Sequence, residues 1–369
     1  MAARPATRHT RERQTPDLQV RAPVRDLNSG SASFAINWDV RPVYDFVFSL
    51  SGDAGSTDDL PATDRTWLAD AKTNLPADVK DAAARLFESE VAIHIAVVVV
   101  DRPELRTAHD VVAAISASDS RDVIRAIANW SPREADLTTL VDRAMAGDSS
   151  ALTALEETMP EHKREARLEM LREPEKTVAD LVSVLGAWAE RFTPIESRVT
   201  AILERDYEAR AADRATLAPV DLIERTTGGI RWLAEGGVKR VILAPSYFSR
   251  PYNFLMSASD FRLFAYPVSD EALASVDPLA APQSVVRLHR ALGDDTRLRI
   301  LKLLAGRDLY LTEIAQLLEL SKPTIKHHLA LLRSAGLVTI TESGTVIYYS
   351  LRRDRLDDAS ADIKRFLIG

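Results

Sequence analysis

The chain has 369 residues, a formal net charge of −7, 46% apolar residues, seven histidines and no cysteine. That length suits two or three domains, and that apolar share suits real cores. The lack of cysteine excludes disulfides, iron–sulfur clusters and thiolate zinc sites, and it fits a reducing, cytoplasmic setting.

The charge is uneven. Residues 1–25 carry six basic and two acidic side chains, and residues 282–369 carry 14 and 10. The 256 residues between them have a net charge of −15. An acidic body with two basic ends leaves room for a local face that meets nucleic acid, because such binding depends on the face and not on the total.

Residues 1–30 are rich in Arg, Ala, Pro, Ser and Thr and lack apolar periodicity, which predicts a disordered basic arm. It either touches DNA phosphates or is a dispensable tail. No apolar leader segment is expected there. The longest apolar run, "AIHIAVVVV" (92–100), is too short to span a bilayer and reads as a buried strand or core helix, so no membrane partner is expected.

Residues 31–267 read as one mostly helical domain ending in a small antiparallel sheet. "VRPVYDFVFSL" places Val43, Phe46, Val47 and Leu50 on one helical face. "TPIESRVTAILERDYEAR" predicts a helix start, with Thr193 as cap, Pro194 at the first helical position and Glu196 closing a capping box. After Thr227 the texture changes to short β-branched or aromatic runs between Gly, Pro and Ser. Antiparallel strands are expected near 229–234, 239–245, 252–257 and 261–267. The stretch 268–284, rich in Ala, Pro, Asp and Ser, reads as a linker.

Residues 285–369 form a compact pattern. In "LHRALGDDTRLRILKLL" (288–304), Gly293 breaks a helix and Asp294, Asp295 or Thr296 caps the next. "YLTEIAQLLEL" is a short helix with Thr312 as cap. In "LSKPTIKHHLALLRSAGLV" (320–338), Ser321 is the N-cap and Pro323 sits in the first turn. At about 100° per residue, Ile325, Leu329 and Leu332 share the inward face. Lys322, Pro323, Thr324, Lys326 and His327 then lie outward or on the flanks, with His328 half buried. Leu337–Thr341 and Thr345–Leu351 alternate as two strands joined at Glu342-Ser343-Gly344. A last amphipathic helix carries Leu356, Ile363, Phe366 and Leu367. These stripes are complete enough for the segment to fold alone.

The order and spacing of "LHRALGDDTRLRILKLL", "LTEIAQLLELSKPTIKHHLALLRSAGLV" and "GTVIYYSL" resemble the ArsR family of bacterial winged-helix transcription regulators over about 80 residues, here in a long actinobacterial-type form with an added N-terminal domain. The resemblance implies a winged helix-turn-helix, so the fold class is α+β multidomain. It also implies a homodimeric repressor acting on a double-stranded DNA operator. By position, Ser321, Lys322, Pro323, Thr324, Lys326, His327 and His328 fall where the family touches DNA. Two departures stand out. Metal-sensing members place cysteines before the reading helix, or histidines on the last helix, and "DLYLTEI" and the last helix here have neither. No metal and no cofactor are therefore expected. The wing tip, Glu342-Ser343, lacks the arginines common in family wings.

No phosphate-cradling glycine loop or nucleophile elbow occurs, so no enzyme is expected. His94, His109 and His162 are scattered. The aromatic group from Trp232 to Tyr266 either lines a pocket for an unknown small-molecule effector, with Tyr247, Tyr252, Arg250 and Phe264 as candidate contacts, or packs a small sheet. Three readings stay open for the N-terminal domain. It senses a signal or dimerises, it recruits a protein partner without any ligand, or it is an enzyme fused to a winged helix.

Overall fold

The computed structural model describes residues 34–51, 56–88, 94–128, 137–233, 237–258, 260–273, 281–343 and 346–368. The N-terminal arm and the wing-tip residue Gly344 lie outside the described residues. The architecture is α+β and multidomain. In the body the helices are α1 (Val43–Leu50), α2 (Ala62–Thr73), α3 (Ala77–Glu88), α4 (Ile95–Val100), α5 (Ala108–Ser116), α6 (Ser120–Ile127), α7 (Leu137–Met145), α8 (Ser149–Thr158), α9 (Glu161–Arg172), α10 (Pro174–Ala209), α11 (Ala211–Thr216) and α12 (Pro219–Thr227). The C-terminal module holds α13 (Gln283–Leu292), α14 (Asp295–Leu304), α15 (Leu311–Leu318), α16 (Lys322–Ser334) and α17 (Arg353–Ile368). The strands are β1 (Ala35–Trp38), β2 (Ile230–Trp232), β3 (Arg240–Ser246), β4 (Phe254–Ser257), β5 (Phe261–Pro267), β6 (Leu309–Tyr310), β7 (Val338–Ser343) and β8 (Val346–Leu351). The apolar run 92–100 contributes α4, a core helix.

The body is built around α10, 36 residues long and so about 54 Å end to end. Its stripe of Val178, Leu181, Leu185, Trp188, Phe192, Val199, Ile202 and Leu203 is buried throughout. The expected helix start at Thr193 is therefore corrected: α10 runs straight through Pro194. The proline leaves the Glu190 carbonyl without its usual donor, and continuous burial of the stripe outweighs that loss. The predicted capping residues serve elsewhere. Thr193 Oγ1 donates to Ala189 O (2.8 Å), and Glu196 accepts from Ala108 N (2.7 Å) at the start of α5. Helix α1 is also more central than its one-faced pattern implies, since all eight of its residues are buried.

The strands lie close to where the sequence places them, but their pairing differs. The body sheet has the order β1-β3-β5-β4, with β1 to β3 and β3 to β5 parallel and only β4 to β5 antiparallel. β5 inserts between β3 and β4, so strands adjacent in sequence are not all neighbours in space, and the antiparallel meander is corrected. β1 was not foreseen. β3 and β5 are buried on both faces, as parallel strands usually are. Val241, Leu243, Phe264 and Tyr266 point to one apolar core, while Ile242, Ala244, Leu263 and Ala265 point to another. The first of these cores also takes in Leu288, Ile300, Ile314, Ile325, Leu329 and Leu332 of the C-terminal module.

β2 departs further from expectation. It leaves the body sheet and pairs in parallel with wing strand β7, in the order β2-β7-β8-β6. Trp232 is fully buried there, with its ring 5.0 Å from Phe34 and 6.4 Å from Phe264. Residues on both sides of the expected linker thus share one core, and the C-terminal module does not have a core to itself. Among the described residues, no helix is long and apolar enough to cross a membrane.

Candidate nucleic-acid interface

Local sequence sets the helix-turn-helix. Asp294 caps α14, accepting from Arg297 N at 2.9 Å, and this holds its carboxyl below the usual carboxylate range. The cap of α15 is corrected: Thr312 lies inside its first turn, and Tyr310 N donates to Glu313 Oε2 (3.1 Å) instead. α15 ends at Glu319, whose φ of 57° lies in the left-handed region. That conformation costs a residue with a side chain about 1–2 kcal/mol, and it turns the chain sharply toward Ser321.

Ser321 caps α16, accepting from Thr324 N at 3.3 Å, and its hydroxyl lies 2.7 Å from Thr324 Oγ1. Ile325, Leu329 and Leu332 are buried. Ser321, Lys322, Pro323, Thr324, Lys326 and His327 are all exposed. The outward end of α16 therefore offers two ammonium groups, one imidazole and a helix N-terminus, a combination suited to phosphates and base edges. His328 turns away from this group. Its side chain is only 15% exposed, and Nδ1 lies 3.8 Å from Asp294 Oδ1. Burial lowers its pKa more than the nearby Asp294 raises it.

The wing is made of β7 and β8 in antiparallel register, with Val338, Ile340 and Tyr349 inward. β7 runs on to Ser343 and β8 begins at Val346, so Glu342 and Ser343, expected in the turn, belong to the strand. α17 leaves Leu356, Leu367 and Ile368 exposed at 36%, 69% and 82%.

The four candidate ligand contacts do not converge. Tyr247 is buried and its hydroxyl donates to Asp64. Phe264 is buried in the core shared with the module. Arg250 is buried, pairing with Asp59 (Nε to Oδ2, 3.0 Å) and with Asp270. Tyr252 is half-buried and lines a cavity.

Arg250 belongs to a charge cluster that sequence reasoning missed. Asp59 also takes Arg287 of α13, and Asp270 accepts from Ser284 N (2.7 Å) near the start of α13. Burial pushes the Asp270 carboxyl up, but Arg250, Ser284 N and Arg287 bring it below the usual range. The cluster ties the body to the C-terminal module. Its members lie far apart in sequence, so no local pattern announces it.

The profile described as "Bacterial regulatory protein, arsR family" matches residues 294–339, from the cap of α14 into β7. The chain is 41% identical over 72 residues to the transcriptional repressor SdpR of Bacillus subtilis (strain 168), covering 80% of that protein and 20% of this chain. It is 37% identical over 71 residues to the cadmium resistance transcriptional regulatory protein CadC homolog of Staphylococcus aureus, covering 59% of that protein and 19% of this one. It is 38% identical over 82 residues to the HTH-type transcriptional regulator KmtR of Mycobacterium tuberculosis, covering 63% of it and 22% of this chain. The chain thus spans less than two thirds of the latter two proteins, and each match covers about a fifth of its own length.

Proposed function

The chain belongs, through its C-terminal module, to the arsR family of bacterial regulatory proteins, and from that premise we propose that it is a cytoplasmic, sequence-specific DNA-binding transcription regulator. It acts as a repressor and as a homodimer. Residues 285–369 bind the operator, and residues 31–267 sense a signal, dimerise, or both. Residues 268–284 join the two, and residues 1–30 form a basic arm.

One observation carries the reading. The N-terminal end of α16 presents Lys322, Pro323, Thr324, Lys326 and His327 to solvent while Ile325, Leu329 and Leu332 anchor the helix in the core. A helix held in this way enters the major groove with its N-terminal residues against base edges. Ser321 and Thr324 share a cap, so their hydroxyls serve the helix start as well as DNA. We assign His328 an orienting role beside Asp294. The exposed Leu356, Leu367 and Ile368 of α17 support a second copy packing there. The name of the SdpR relative supports repression.

The test is enrichment of fragmented genomic DNA by the full-length protein, run beside the Lys326→Ala/His327→Ala variant. A shared near-palindrome is expected, with half-sites about one helical turn apart, roughly 10 bp, or a multiple of it. Equal enrichment by wild type and variant would sink the assignment of the reading face.

A further inference from the structure

Between the helical body and the C-terminal module lies a cavity of about 530 Å³, within the range that small organic ligands occupy. Tyr252, in the loop after β3, lines it from the body side. From the module come Arg287 and Arg290 of α13, Arg297 of α14, and Leu331 and Ser334 of α16.

The three guanidinium groups are not equivalent. Arg297 is committed to the end of α13, with Nε donating to Ala291 O (2.8 Å) and Nη2 to Arg290 O (2.7 Å). Arg287 holds Asp59 through Nη1, but its Nε is buried with no hydrogen-bond partner. Arg290 is exposed, and its side chain has no ion-pair partner among the described residues. The cavity therefore offers the Arg290 guanidinium, without an ion-pair partner among the described residues, beside the Tyr252 ring and the Leu331 side chain, while Arg287 is held on Asp59. Asp58 and Asp59 also line it, and they disfavour a doubly charged ligand.

We propose that this cavity binds a small organic acid, a single carboxylate on an apolar body. The carboxylate pairs through both oxygens with the Arg290 guanidinium, a geometry its planar fork favours. The apolar part packs against Tyr252 and Leu331. Leu331 and Ser334 belong to the same helix as Lys326 and His327, roughly 6–12 Å away along its axis. A ligand gripping both the body and α16 binds according to how the two are placed, so its affinity and that for DNA are linked reciprocally. This last consequence rests on the DNA-binding reading; the ligand site does not.

The test is calorimetric titration of the DNA-free, full-length protein with phenylacetate, octanoate and indole-3-acetate, and with phenylacetamide and benzyl phosphate as uncharged and doubly charged counterparts. Saturable binding of a carboxylate is expected, at least tenfold tighter than either counterpart. Arg290→Glu should weaken it by about 10- to 100-fold, while Arg121→Glu, an exposed charge change on α6, leaves it unchanged. Arg290→Gln provides the same reading if the glutamate variant folds poorly. No saturable binding at millimolar concentration overturns the proposal. So does equal binding of amide or phosphate, or wild-type binding by the Arg290 variants. Probe binding by a protein without DNA sequence preference supports the cavity and overturns the DNA reading; intact operator recognition without probe binding does the reverse.

Discussion

Asp45 is fully buried in α1, where it accepts from Ser246 Oγ (2.6 Å), Tyr247 N (3.0 Å) and Phe248 N (2.7 Å). Burial raises its pKa from 3.8 to about 6, against the pull of those three donors. A carboxyl raised on folding favours the native state at low pH, and that contribution is lost as pH rises through the folded pKa. The stability of the wild type relative to Asp45→Asn should therefore fall by about 3 kcal/mol between roughly pH 4 and pH 6, then level off. Urea titrations of both proteins across that range test this, and a difference that stays flat would refute it. At the reading helix, Lys326→Ala and His327→Ala should each weaken operator binding by about 1–3 kcal/mol if they meet base edges, with unchanged circular dichroism. Unchanged affinity and salt dependence in both variants would mean that another face reads DNA. These two sites differ in legibility. The outward face of α16 follows from helix geometry and a local cap. The partners of Asp45 are 201 to 203 residues away, and nothing near "YDF" in the sequence points to them.

Among the elements, local start signals held where burial agreed with them, at α14 and α16, and failed at Thr193 and Thr312. Ser321 caps α16 as expected, Asp294, one of three candidates, caps α14, and the strands from β2 to β5 lie near their predicted places. Helix α10 and the sheet order were missed because long-range burial decides both: the stripe on α10 overrides Pro194, and β5 enters between β3 and β4. The pairing of β2 with β7 bears on the C-terminal module. A fragment 283–369 lacks β2, Trp232 and the Val241, Leu243, Phe264 and Tyr266 side chains that close its core. It should keep much of its helix content yet unfold at clearly lower denaturant than the full chain, since removing a large buried aromatic costs about 3–5 kcal/mol. A fragment matching the stability of the full chain would show that the shared core contributes nothing.

For the whole molecule, the chemistry of the side chains bears on what can regulate it. The chain holds no cysteine, and its sequence places no histidine in α17 or in the stretch 308–314 ahead of α16. Operator binding should therefore be indifferent to zinc, nickel, cobalt, copper and chelator, because tight transition-metal sites need imidazole or thiolate in a fixed cluster. Stoichiometric metal binding that releases DNA would overturn this. The wall between the two cores has a further consequence, for mutational tolerance. On a half-buried strand, every second position is free to vary. Along β3 every residue from Val241 to Ser246 is buried, and along β5 every residue from Phe261 to Tyr266. Neither buried run has a permissive position, and alternate residues answer to different cores. Random mutagenesis should thus yield alleles with impaired gene regulation in β3 and β5, far in sequence from α16, because each damaged residue there removes part of the floor beneath the body or beneath the C-terminal module.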